Sequence, residues 1–316
     1  MPAFIASAPG KAILLGEHAV VYGQPAIAVP IRQVQAKVIL TPSPKLLPGT
    51  IHIQAPAIGL DADLHSLPAN HPLAVCIRLV LTHLELKGAP ACQVRITSTI
   101  PLAAGLGSGT AVSVALIRAF SAFLGKHLPL EQVSELAYQV EKLYHGTPSG
   151  IDNSVVTFAQ AVYFVRGQPI EMLRVPIPFT LVFGDTGILS PTANTVGDVR
   201  QAWQSDPEHY ESIFNEIGAL VHEARSALEN GQTERCGALM DLNHALLCKM
   251  GVSSQELDRL VECARKAGAL GAKLSGGGRG GNMIALATAE SAARIRLGLA
   301  AAGARRTIIS QVEAQA

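Results

Sequence analysis

The sequence predicts an α+β protein of two domains, and three observations carry that prediction. The first half of the chain mixes short β-type runs with a few helical ones. The second half is dominated by long amphipathic helical runs and closes on a strand–helix–strand pattern. The composition shifts between residues 184 and 195. Domains are therefore expected over residues 1–185 and 186–316. With 316 residues, 48% of them hydrophobic, the chain is long enough for two cores of ordinary size.

Each element has a local reason. Strands are expected at residues 3–8, 26–29, 34–40, 93–99, 154–158, 161–165 and 180–183, where Val, Ile, Thr and aromatic residues cluster between Pro and Gly. Helices are expected at 72–86, 109–124 and 130–144. On the last of these, Val133, Leu136, Ala137, Val140 and Tyr144 form the apolar stripe. Residues 41–70 carry Pro42, Pro44, Pro48, Pro56 and Pro68 and read as loops and hairpin edges. In the second half, 207–229 places Tyr210, Ile213, Phe214, Ile217, Leu220, Val221, Ala224 and Leu228 on one helical face. Helices follow at 234–250 and 254–267, with Gly251 as a C-cap signal and Ser253 or Ser254 able to cap the next helix. A glycine-rich stretch at 275–281, a strand at 283–287, a helix at 290–301 and a strand at 307–312 complete the pattern.

Composition narrows the function classes. A formal net charge of +1 lacks the basic surplus of a nucleic-acid binder. A small anionic ligand needs only a few local cations and is not excluded. The cysteines (Cys76, Cys92, Cys236, Cys248 and Cys263) are scattered, without CxxC or zinc-type spacing, and read as reduced thiols. The start, MPAFIASAPG, lacks the basic and apolar regions of a signal peptide, and no uncharged apolar run reaches the ~18 residues of a membrane span. A soluble cytoplasmic protein is expected.

Four segments carry chemistry. Residues 101–111 read PLAAGLGSGTA and run straight into a helical pattern. Gly105, Gly107 and Gly109 leave backbone N–H groups uncovered, Ser108 can cap the helix, and Ser108 and Thr110 add hydroxyls, so this is a ready phosphate site, with a tight turn onto a packed helix as the plainer alternative. It is not a Walker A sequence, which the chain lacks altogether. Residues 9–23, PGKAILLGEHAVVYG, suggest strand, turn and strand, with Lys11 at the start and Glu17 and His18 in the turn. Taken alone, this fits a hairpin with solvated charges as well as a ligand-facing turn. Residues 145–153, HGTPSGIDN, end a helix in a stiff turn at Pro148 and Gly150 that presents Asp152. On the preceding helix Glu141 borders the apolar stripe and needs a partner, either a basic side chain or a magnesium ion on nucleotide phosphates. Residues 273–282, KLSGGGRGGN, satisfy GxGxxG through Gly276, Gly278 and Gly281, but a strand follows rather than a helix, so this is no dinucleotide fingerprint.

Taken in order, these segments resemble the GHMP kinase superfamily: PGKxxLxGEH near the start, PxxxGLGS in the middle, KxSGxG near the end. GEHAVVYGQPAIA at 16–28, HGTPSGIDN, the DTG…T segment at 185–192 and NHALLCKMGVSS at 243–254 are most similar to the mevalonate kinase branch, so the resemblance spans residues 9–287. It implies an N-terminal ribosomal-protein-S5-like α/β domain and a C-terminal ferredoxin-like domain with the cleft between them. The implied activity is ATP-dependent phosphorylation of the 5-hydroxyl of (R)-mevalonate, with Mg²⁺ as cofactor, small-molecule partners only, and a possible homodimer. Asp152 would be the catalytic carboxylate, and Lys11 would lie beside it and lower the hydroxyl's pKa. Pro101, Leu102, Ala103, Ala104, Gly105, Leu106, Gly107, Ser108, Gly109, Thr110 and Ala111 would cradle ATP. Glu17, His18, Thr192 and Gly277 would bind the substrate, and Glu141 with Ser108 would hold the metal.

Two departures stand out. The family usually reads GLGSSA, whereas here Gly109 follows Ser108, so Ser108, Thr110 or water must complete the metal shell. The family's TGAGGGG is here SGGGRGG, which places Arg279 where the pattern is neutral; the two roles open to it are a phosphate contact and, favoured, a solvent-facing position or surface ion pair. A sister kinase acting on phosphomevalonate, a sugar or a related hydroxy acid is the near alternative. A catalytically silent ligand sensor on the same fold is the distant one.

Overall fold

The computed structural model describes residues 3–101, 105–145 and 149–315. The chain opens with strands β1 (Phe4–Leu15), β2 (Ala26–Pro42), β3 (Ile51–Ala55) and β4 (Leu60–Asp63). Helix α1 (Pro72–His83), strand β5 (Cys92–Ser98) and helices α2 (Ser108–Phe123), α3 (Leu130–His145) and α4 (Ile151–Phe158) follow. Next come β6 (Val162–Phe164), β7 (Glu171–Met172) and β8 (Phe179–Asp185), then helices α5 (Thr192–Ser205), α6 (Pro207–Glu229), α7 (Thr233–Lys249) and α8 (Gln255–Lys266). The chain ends with β9 (Gly271–Ser275), β10 (Asn282–Ala287), α9 (Ala292–Ala301) and β11 (Arg306–Val312).

These elements form two compact units, neither of them a single stretch of sequence. One holds residues 3–10, 34–101 and 107–159; the other holds 11–33, 105–106 and 160–315.

In the first unit the sheet runs β4–β3–β5–β2, with β3 and β5 parallel and the other pairs antiparallel. Alternation sets its faces: Cys92, Val94 and Ile96 of β5 are buried while Gln93, Arg95 and Thr97 are exposed. Helix α2 is apolar nearly all round, which suits its central position against α1, α3 and α4. Residues 154–158 are not the expected strand but lie in α4. Their Val155, Val156 and Thr157 favour strands locally, but all three are buried in the helical layer, and Gly150 starts the helix at a φ of 92°. A short apolar run has no periodicity to tell the two states apart, and packing decides it. The expected loop at 41–70 contains the β3–β4 hairpin.

In the second unit a four-stranded antiparallel sheet runs β11–β8–β10–β9, with every residue of the inner strand β10 buried. Helix α6 buries the predicted face, and Ser254 caps α8 by accepting from Leu257 N–H at 3.4 Å. Helix α5 lies outside the expected helices, although Val196, Val199 and Trp203 recur at helical spacing in its otherwise polar run. Helix α7 lies unusually close to β9. A Cβ on Gly237 would stand 2.4 Å from the Leu270 carbonyl oxygen, and one on Gly271 would stand 1.9 Å from the Gly237 carbonyl oxygen. Gly237→Ala is therefore expected to lower the unfolding free energy by about 1–3 kcal/mol, read from urea denaturation. An unchanged midpoint would show that α7 can withdraw from β9 without cost.

Candidate active site

The two units each assemble part of the predicted site. In the second unit the turn after β1 is built by constraint. Gly16 has a φ of 102°, and a Cβ there would meet the Pro25 carbonyl oxygen at 2.5 Å and the Ala26 Cα at 2.6 Å, so only glycine fits. His18 follows at φ 60°, ψ −52°, and Ala19 N–H bonds the Glu17 carbonyl at 2.7 Å. That is a γ-turn of the strained, positive-φ kind, which costs on the order of 1–3 kcal/mol and is held only where the surroundings impose it.

The surroundings here are a buried ion pair. Lys273 of β9 is fully buried and Glu17 is 3% exposed. Lys273 Nζ donates to Glu17 Oε1 and to the Leu274 carbonyl, the latter at 2.6 Å. Burial pushes the Glu17 carboxyl above its ordinary range and the Lys273 ammonium below its own, and their mutual attraction pulls each back. The hairpin with solvated charges is thereby overturned: both acid and histidine face inward.

His18 Nε2 lies 3.0 Å from the Gly277 carbonyl. A carbonyl only accepts, so Nε2 carries the proton and Nδ1 is left as an acceptor. Burial first, then the positive charges of Arg279 and Lys273, lower the His18 pKa to about 4 despite the Gly277 bond, so the ring is neutral. Thr192, at the start of α5, packs on Gly277; a Cβ on that glycine would stand 3.0 Å from Thr192 Cα. Glu17, His18, Thr192 and Gly277 are thus joined within one unit. Lys11 lies buried on β1 in the same unit, and its N–H bonds the Leu106 carbonyl at 3.0 Å. Arg279 pairs with Asp198 at the surface, both side chains about half exposed, which matches the expected surface ion pair.

In the first unit α2 begins at Ser108, with Gly107 as N-cap at φ 72° and no side-chain cap. Ser108 is therefore not the cap: it stands one residue too late, and the left-handed glycine makes the turn instead. The first helical bond joins Ala111 N–H to the Gly107 carbonyl at 2.9 Å, so the N–H groups of Ser108, Gly109 and Thr110 precede the ladder. Among the described residues a Cβ at Gly105 or Gly109 would meet nothing within 4 Å, so their packing does not demand glycine at either place. Pro101, Leu106 and Ala111 bury their side chains and could offer a ligand only backbone. Leu102, Ala103 and Ala104 lie outside the described residues, as does Pro148 of the expected turn before Asp152.

Thr110 Oγ1 donates to Glu141 Oε1 at 2.5 Å, and both residues are buried. The hydroxyl that reaches Glu141 is thus that of Thr110, while Ser108 is half-exposed at the helix start. Asp152 is half-buried in the first turn of α4, between buried Ile151 and Asn153; Asn153 Nδ2 donates to Ser134 Oγ at 2.9 Å and anchors that turn on α3.

Comparison with known proteins decides the family. The GHMP kinases N terminal domain model matches residues 72–160, and the GHMP kinases C terminal model matches 224–305. The mevalonate kinase of Pyrococcus furiosus is 36% identical over 90% of this chain and 89% of its own length. The chain belongs to the GHMP kinase superfamily, in its mevalonate kinase family. The mevalonate kinase of Saccharolobus solfataricus is 31% identical over 92% of each chain. Among solved structures, the L. major mevalonate kinase in complex with R-mevalonate superposes with a TM-score of 0.84 at 31% identity, covering 100% of this chain and 97% of that one. The Methanococcus jannaschii mevalonate kinase gives 0.85 at 26% identity, covering 100% and 99%. The two-domain GHMP kinase fold expected from the sequence is the fold observed. No helix among the described residues is long and apolar enough to cross a membrane.

Lys273 is not among the residues expected at the site. It stood in a motif already noted, and a lone lysine within the buried run GAKLS was the available signal for a buried acid partner. Nor are Asn243 and His244. Burial lowers the His244 pKa to about 4, as it does for His18. An unfolded histidine near 6.5 binds protons that these two refuse, so each contributes stability above pH 6.5 that is lost progressively as pH falls toward 4. The expected loss is about 2 kcal/mol per histidine by pH 5, measured by urea melts at pH 7, 6 and 5. A His244→Gln variant should show a shallower slope; equal slopes would mean that His244 protonates freely in the fold.

Proposed function

We infer that this enzyme transfers the γ-phosphoryl group of ATP to the 5-hydroxyl of (R)-mevalonate. The observation that carries the reading is similarity to mevalonate kinases across nine-tenths of the chain, and the site geometry agrees with it. Lys11, Glu141 and Asp152 are all retained, which a silent sensor would not need. A phosphorylated substrate would call for free cations, whereas Arg279 is already paired with Asp198. The phosphomevalonate kinase of Streptococcus pneumoniae shares the fold at only 18% identity, with a TM-score of 0.81.

In this reading Asp152 takes the proton from the 5-hydroxyl as its oxygen bonds to the γ-phosphorus and the bond from that phosphorus to the β,γ-bridging oxygen breaks, releasing ADP. The Lys11 ammonium favours the developing alkoxide. The N–H groups at the start of α2 receive phosphate oxygens. The donors gathered there are all oxygen: the Glu141 carboxylate and the hydroxyls of Thr110 and Ser108. That set suits a hard divalent cation, and we assign Glu141 with Thr110 as the pair that would hold Mg²⁺, Ser108 being the second hydroxyl within the same turn. When bound, Mg²⁺ neutralises charge on the phosphate oxygens.

A coupled ADP-release assay across mevalonate, phosphomevalonate, galactose and homoserine tests the reading; turnover confined to one of the last three would sink it. Asp152→Ala is expected to lower kcat by about 10²–10⁴-fold while ATP affinity is largely kept. Lys11→Met should lower kcat steeply with a modest change in mevalonate KM. For Glu141→Gln the Mg²⁺ concentration giving half-maximal rate should rise; an unchanged requirement would return Glu141 to a structural role.

A further inference from the structure

The buried pair Glu17–Lys273 has an unfinished valence. Glu17 Oε1 accepts from Lys273 Nζ, and the Glu17 and Gly276 backbone N–H groups lie toward the carboxylate, but Oε2 is buried without a hydrogen bond of ordinary geometry among the described residues. An orphaned buried acceptor costs about 1–3 kcal/mol, and such atoms persist where a bound water or a ligand completes them. A carboxylate oxygen only accepts, and it repels carboxylate and phosphate, so the completing group is a hydroxyl or amine.

The pair is also held from both ends by two adjacent residues of α7. Asn243 Oδ1 accepts from Gly16 N–H at 3.4 Å, immediately before Glu17, and His244 Nδ1 accepts from Leu274 N–H at 3.3 Å, immediately after Lys273. A backbone N–H can only donate, so His244 carries its proton on Nε2, which lies 3.3 Å from Asp258 Oδ1 and 3.6 Å from Cys248 Sγ. With Nε2 protonated, His244 is no metal ligand, and the His244–Cys248–Asp258 group serves to fix β9.

We propose that Lys273 is a positioning residue for substrate binding: it holds Glu17 so that Oε2 accepts the hydroxyl of the substrate that is not phosphorylated, the tertiary 3-hydroxyl. This rests on the mevalonate reading. Of mevalonate's polar groups, the 5-hydroxyl gives its proton to the base and the carboxylate is repelled by Glu17, which leaves the 3-hydroxyl.

The test is steady-state kinetics of the full chain with mevalonate and with its 3-deoxy analogue, 5-hydroxy-3-methylpentanoate. Wild-type enzyme is expected to show a KM about 10- to 100-fold higher for the analogue, the worth of one charged hydrogen bond. Lys273→Met should raise the mevalonate KM by a similar factor, leave the analogue's KM and the ATP KM within about threefold, and change kcat at saturation little. If that variant fails to fold, Glu17→Leu/Lys273→Met removes the buried charges together, and the same loss of discrimination is expected. Equal KM increases for both substrates, or wild-type discrimination in the double variant, would overturn the proposal. Wild-type enzyme inactive on mevalonate would instead overturn the functional reading on which it rests.

Discussion

The buried ion pair between Glu17 and Lys273 is the constraint on which the turn at Gly16–Ala19 and its neighbours in the second unit depend. Two opposite charges taken out of water recover their desolvation cost only when geometry is tight and further hydrogen bonds complete them. The Leu274 carbonyl supplies one such bond to the lysine. The turn that delivers Glu17 must pass so close to Pro25 and Ala26 that position 16 is limited to glycine. The strained γ-turn at His18 follows directly, because the chain has to reverse while Glu17 stays fastened to β9. His18 is thereby carried to the Gly277 carbonyl, and Gly277 in turn sits against Thr192. One electrostatic contact organises residues far apart in sequence.

The glycine-rich segments serve different physical ends. At Gly278 a Cβ would stand 1.9 Å from the Val252 carbonyl oxygen, and the neighbouring Arg279 N–H bonds that same carbonyl at 2.8 Å. This loop is glycine-rich because the backbone beneath it is close. At Gly105 and Gly109 no neighbour among the described residues would stand within 4 Å of an added Cβ. There the absence of a side chain keeps backbone N–H groups open at a helix start, which is what a phosphate needs. In sequence the two loops look alike.

Local chemistry made much of the fold legible. Helices α3 and α6 follow their apolar stripes, α8 begins at its serine cap, and the segment after Lys273 is strand, loop and strand because the apolar run MIALA suits an inner strand. What was illegible has a common cause. Residues 154–158 are strand formers that become helix because burial in the helical layer overrides propensity. Helix α5 is mostly polar, and its stripe of Val196, Val199 and Trp203 is thin. Ser108 looked like a cap, but a left-handed glycine one residue earlier took that role.

By itself the sequence determined the family and the order of the glycine-rich segments, because these depend on residue type and spacing along the chain, and it marked Lys11, Glu141, Asp152 and the helix start after Gly107 as candidates. Only the tertiary structure decided which side chains meet. It brought Thr110, rather than Ser108, to Glu141. It fastened Glu17 to Lys273 across more than two hundred intervening residues, with Asn243 and His244 at either end of the pair. Such pairings are fixed by packing and by the cost of leaving buried charge unpaired, and neither is written in the local sequence.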